Sequence, residues 1–169
     1  MAVGRKPDFM PLLAPGRHHM RLQDVHDRFV RDVRNEAHRE KLFLGLEELV
    51  QRLLRLKIPC ELWIDGSFLT EKPYPDDIDV MVFIESSVNE KLDEAQDLEL
   101  YNINIGYVPE NVDAHVYTVY SIGHEHYGTP IDVGYEWGRG YGLENSEQWL
   151  KGIAVLRLME NNVGLRLRS

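Results

Sequence analysis

The residues whose types and spacing could do chemistry are concentrated in LWIDGSFLTEKPYPDDIDVMVFI, residues 62–84. Gly66 and Ser67 close one apolar run, nine residues intervene, and Asp77 and Asp79 open the next. Alternation along an extended chain puts Asp77 and Asp79 on the same side, separated by roughly 6.6 Å of backbone rise. Two carboxylates on one face repel unless a cation lies between them. Hard divalent ions such as Mg²⁺ take oxygen ligands and are usually shared between one or two carboxylates and substrate phosphates, so the pair is a natural metal seat. Gly66 lets backbone approach a bulky anion closely, and Ser67 adds a hydroxyl and a backbone N–H at the same place.

These residues need a scaffold. At 169 residues, 43% hydrophobic and 28% charged, the chain is the size of one domain and can bury one core. Nineteen Lys and Arg against 28 Asp and Glu leave a net charge of -9 and a pI near 5.2. That balance excludes an extensive nucleic-acid surface, which draws its strength from clustered cations. A single cysteine, Cys60, cannot form a disulfide within the chain. No apolar run reads as a signal peptide or reaches membrane-spanning length, so the expected location is cytoplasmic, with no membrane partner.

Residues 1–20, with Pro7, Pro11, Pro15 and Gly16, predict an extended arm, and residues 21–165 a single domain. Leu22, Val25, Phe29, Val30 and Val33 recur at helical steps. Leu42, Leu46, Leu49, Val50, Leu53, Leu54 and Ile58 form one stripe of a longer helix over Arg39–Lys57, which Pro59 ends. Cys60–Asp65 and Asp77–Ile84 predict strands, the second apolar on both faces like a central strand. Glu85–Tyr101 predicts one acidic surface helix, Val112–Tyr120 an alternating strand and Gly152–Met159 a last strand. Between Gly123 and Gly142 the glycines and aromatics predict an ordered loop region containing a short helix.

Ile64-Asp65-Gly66-Ser67 and Asp77-Ile78-Asp79-Val80 together resemble the signature of the polymerase-β-like nucleotidyltransferase superfamily. That signature is an apolar residue, Gly-Ser or Gly-Gly, a spacer of about this length, and then Asp-apolar-Asp-apolar on the next strand. The PGRHH, WGRGYG and KGIAVLRL segments look more narrowly like a small bacterial branch of that superfamily with uncharacterised function. The resemblance implies an α/β (α+β) nucleotidyltransferase-like domain, a short mixed β-sheet flanked by helices. In it the Gly66-Ser67 turn holds a nucleoside triphosphate, with ATP the expected one, and Asp77 and Asp79 bind two Mg²⁺ ions, a seat Mn²⁺ would also suit. Such enzymes move a nucleoside monophosphate onto a hydroxyl and release pyrophosphate, using metal charge to stabilise the transition state. The superfamily's third acid, a metal ligand that also helps deprotonate the attacking hydroxyl, falls on Asp113, with Asp132 as the alternative.

Small members of the superfamily follow Gly-Ser with a helix carrying an Arg-Gly pair, whereas Pro73 and Pro75 limit any helix here to a turn. Lys72 and Arg139 are therefore the candidates for the phosphate-binding charge. No segment is long enough to be the acceptor-binding domain of larger members. The acceptor would come from a partner protein, from a second copy in a homodimer, or as a small molecule in an open cleft. The alternative reading is a catalytically degenerate member serving as a nucleotide-binding or regulatory module, such as the neutralising partner of a toxin or defence system. His115, His124 and His126 lack companions at zinc-site spacing and read as hydrogen-bonding residues. Asp65 reads as a strand end and Trp63 as core, while Trp137 and Tyr141 read as anchors of the loop.

Overall fold

The computed structural model describes residues 9–132 and 152–158. Five strands form one mixed sheet in the order β1-β5-β2-β3-β4, where β1 is Gly16–His19, β2 Cys60–Asp65, β3 Ile78–Glu85, β4 Val112–Val119 and β5 Gly152–Leu158. β2 runs antiparallel to both β3 and β5, while β4 is parallel to β3 and β1 is parallel to β5. The central position of β3 matches its composition: every residue from Val80 to Ile84 is buried. The extended N-terminal segment supplies β1 as an edge strand, and before that Leu12 N–H donates to Leu69 O at 2.9 Å.

Two helices precede β2. Helix α1, Leu22–Phe29, buries Leu22, Val25 and Phe29, and its first turn is closed by Arg21 and Asp24 in a reciprocal cap. Helix α2, Glu36–Arg55, carries the long apolar stripe and buries Leu42, Leu46, Leu49, Val50, Leu53 and Leu54. Together with Leu62, Ile64, Val80, Val82, Ala114 and Leu156 from one face of the sheet, these side chains make the main core. Trp63, Met81, Phe83, Ile153 and Val155 form a smaller cluster on the opposite face, flanked by Tyr117 and Val119.

The expected single helix between β3 and β4 is two: α3, Ser86–Asn89, and α4, Glu94–Asn104. Asp93 is the physical reason, because its carboxylate accepts from Gln96 N–H while the Gln96 side chain accepts from Asp93 N–H, which starts a new helix there. This crossover returns the chain to the same end of the sheet, as a parallel pair requires. No helix among the described residues is long and apolar enough to cross a membrane.

Candidate functional site

The site is built by strand register. Asp65, the last residue of β2, faces Asp79 on β3, and Asp79 faces Asp113 on β4. Directly paired residues on adjacent strands project to one face about 4.8 Å apart, so three carboxylates form a row across the head of the sheet. Asp65 is buried, Asp79 half-buried and Asp113 exposed, and the row thus grades from core to solvent. Asp77 stands one residue ahead of β3, half-buried, beside the point where Ile78 N–H donates to Asn111 O.

Gly66 follows Asp65 directly and adopts φ 83°, ψ -169°, a region essentially closed to other residues. Any Cβ at this position would overlap Oδ2 of Asp79. The glycine therefore lets a carboxylate lie against the main chain of the turn. After it, Ser67–Leu69 make a single 3₁₀ turn with Phe68 and Leu69 buried, in keeping with the limit set by the two prolines. Thr70 closes the turn by donating from both N–H and Oγ1 to Ser67 O.

What holds the rest of the spacer is Arg39, fully buried on the core-facing stripe of α2. Its guanidinium donates to the carbonyls of Phe29 (3.0 Å), Phe68 (2.7 Å), Thr70 (2.6 Å) and Lys72 (2.9 Å). The same end of α2 adds Asn35 Nδ2 to Pro73 O at 2.9 Å and the His38 ring to Pro75 O at 2.7 Å. Burial pulls the Arg39 pKa below its ordinary value, but guanidinium basicity is high enough that the charge persists. The segment from Phe68 to Pro75 is thus pinned at five carbonyls.

Lys72 is drawn into this loop and pairs through Nζ with Asp76 at 2.7 Å. Arg139 lies outside the described residues, as do Trp137 and Tyr141. Asp132 is buried and accepts from Gly128 N–H through Oδ2, closing a turn well beyond β4; Asp113 is the acid in register with Asp79. Nε2 of His115 approaches Oδ1 of Asp113 at 3.3 Å. Burial first, and then the Asp113 charge, push the Tyr117 phenol up. His124 and His126 pack with Tyr120 as a ring cluster, and the His126 main-chain N–H donates to His124 Nδ1.

Among the described residues no group of three or more His, Cys, Asp or Glu side chains is gathered so as to hold a metal by itself. The row is instead two register pairs sharing Asp79. All of its donors are hard oxygens, and Mg²⁺ characteristically combines one or two carboxylates with waters and substrate phosphates. The donor set suits that ion and is wrong for a soft one.

Sequence reasoning read Asp65 as the strand end it is, without its place opposite Asp79, and passed over Arg39. The signal for Asp65 was the alternation of CELWID, which puts it on the face of Trp63 and, in an antiparallel pair, opposite the acids of the next strand. The signal for Arg39 was its place on the apolar stripe three residues before Leu42. A charged residue at such a position must find carbonyls or acids to satisfy it.

A family model described as a family of unknown function (DUF6932) matches residues 7–156. No curated protein and no solved structure matches the chain.

Proposed function

We infer that this chain, which belongs to that family of unknown function, is a Mg²⁺-dependent nucleotidyltransferase that moves a nucleoside monophosphate from a triphosphate to a hydroxyl. The observation that carries the reading is the seating of the Asp79 carboxylate against Gly66, in register with Asp65 and Asp113. The antiparallel β2/β3 pair with β4 parallel beside it supports a nucleotidyltransferase-like domain.

Asp79 and Asp113 would hold the cation, with Asp77 beside the strand entry. When bound, Mg²⁺ neutralises phosphate charge and stabilises the attacking and leaving oxygens. The remaining work belongs to the chain. Ser67 offers a hydroxyl to phosphate oxygens, and the missing side chain at Gly66 leaves room for them to approach. Arg39 keeps the turn from moving, so its donors are in place before the ligand arrives. Asp113, the most exposed acid of the row, lies where an acceptor hydroxyl can reach it and pass its proton to the carboxylate.

The pairing of Lys72 with Asp76 favours a second reading, a nucleotide-binding or regulatory module without turnover, since that ammonium is already engaged. Thermal melts with ATP and the other triphosphates, with and without Mg²⁺, and pyrophosphate release over a panel of hydroxyl acceptors separate the two. At a hundredfold excess over Kd, binding stabilises by about 2.7 kcal/mol, or about 5–10 °C for a chain of this size. The transferase reading expects that shift to need Mg²⁺, to vanish in the Asp77→Ala, Asp79→Ala double variant, and to accompany pyrophosphate release. A shift that survives the double variant refutes the proposed seat. Binding without pyrophosphate across the panel favours the module.

A further inference from the structure

We propose that Arg17 is the anion-binding residue of this site, taking the terminal phosphates of a nucleoside triphosphate held at the Asp79 row; the inference rests on the nucleotidyl-transfer reading. A row of acids needs a cation at the far end of a polyphosphate, and Lys72 is turned to Asp76. Four other described guanidinium groups are committed: Arg21 to Asp24, Arg31 to Asp27, Arg52 to Glu99 and Arg157 to Glu61. Arg17 makes no hydrogen bond or ion pair with the described side chains, and its contact is with a ring.

That contact aims it. Arg17 sits on β1 opposite Ile153 of β5, so its side chain projects to the face that carries Ile153, Trp63 and the acid row. It reaches across β5 and lies 4.7 Å from the centroid of the Trp63 ring. Trp63 is two residues from Asp65 on the same face of β2. The guanidinium head thus lies on the face of the sheet that carries the acid row, over a ring of the strand that runs into Gly66 and Ser67.

The platform beneath it is rigid. Trp63 Nε1 donates to Glu61 Oε1 at 2.6 Å, Glu61 is held on its other oxygen by Arg157 at 2.9 Å, and Phe83 packs on the indole at 4.7 Å. A guanidinium laid on an aromatic face keeps its in-plane N–H donors directed outward, in the fork that suits two phosphate oxygens. Because the indole already restricts the side chain, less freedom is lost on binding an anion. An exposed cation with outward donors, parked on a fixed ring on the same sheet face as the acid row, has the chemistry of a phosphate ligand rather than of a stability device.

The test is calorimetric titration of wild type, Arg17→Gln and Arg17→Lys with Mg·ATP, Mg·AMP and inorganic tripolyphosphate with Mg²⁺. Arg17 is exposed, so melting curves of both variants should overlay that of wild type. The expected result is a loss of tenfold or more in Mg·ATP and tripolyphosphate affinity for Arg17→Gln, a smaller loss for Arg17→Lys, and AMP affinity unchanged. Equal affinity of wild type and Arg17→Gln for Mg·ATP overturns the inference and leaves the transferase reading standing. Parallel losses for ATP and AMP overturn it too, since they place Arg17 away from the phosphate tail. Wild type that binds neither ATP nor AMP overturns the underlying reading and this inference with it.

Discussion

Replacing Arg39 by Met should be strongly destabilising, and the size of the effect can be worked from the contacts. Four charge-assisted hydrogen bonds to carbonyl oxygens are lost, each worth about 1.5–3 kcal/mol. Against this, the variant no longer carries the desolvation cost of a buried charge, which is several kcal/mol. The methionine also keeps some of the contact that Arg39 makes with the Phe68 ring. The difference leaves a net loss of about 3–5 kcal/mol, as four carbonyls lose a charged donor. For a chain of this length that lowers the melting temperature by about 6–20 °C. Urea unfolding gives the free energy, and amide hydrogen exchange gives its location: the N–H groups of Leu69, Thr70 and Glu71 should lose protection before those of β3. A loss below about 1 kcal/mol, or unchanged protection across residues 68–75, would refute the view that Arg39 pins the spacer.

Gly66 and Cys60 give further outcomes. Gly66→Ala should cost about 1–3 kcal/mol from its backbone conformation alone, and because the new methyl displaces Asp79, the Mg²⁺-dependent thermal shift should disappear while the variant stays folded; an unchanged shift would show that Asp79 need not touch the turn. Burial pushes the Cys60 thiol up to about 12, so at pH 8 the native thiolate fraction is about one in ten thousand against about one in four for an ordinary thiol, and alkylation should be about a thousandfold faster in denaturant. The raised pKa also fixes the sign of its pH effect: the contribution is complete below the unfolded value of about 8.5 and is lost as pH rises toward about 12, which titration of a Cys60→Ala variant in parallel will isolate.

Much of this scaffold was legible because periodicity depends on which face is buried. The α2 stripe from Leu42 to Leu54 and the doubly covered run from Val80 to Ile84 could be assigned from apolar spacing alone. The break at Asp93 was missed since a capping box is a two-residue signal inside a polar stretch, and polarity there masks any period. β1 was missed for another reason: GRHH has no apolar alternation, and it is a strand only because β5 presents a partner edge. Register across strands is likewise invisible in one dimension. Asp113 could be proposed from its own strand, whereas the pairing of Asp65 with Asp79 exists only once two distant segments align.

The parallel union of β1 with β5 joins Gly16 to Gly152, residues 136 positions apart (152 minus 16). Closing so long a loop is slow compared with forming the neighbouring β2/β3 and β3/β4 ladders. During synthesis the acid row can therefore assemble while Arg17 still waits for β5 to emerge. A nascent chain would carry its acids before it gained the arginine's seat, so the cation's arrival marks completion of the sheet.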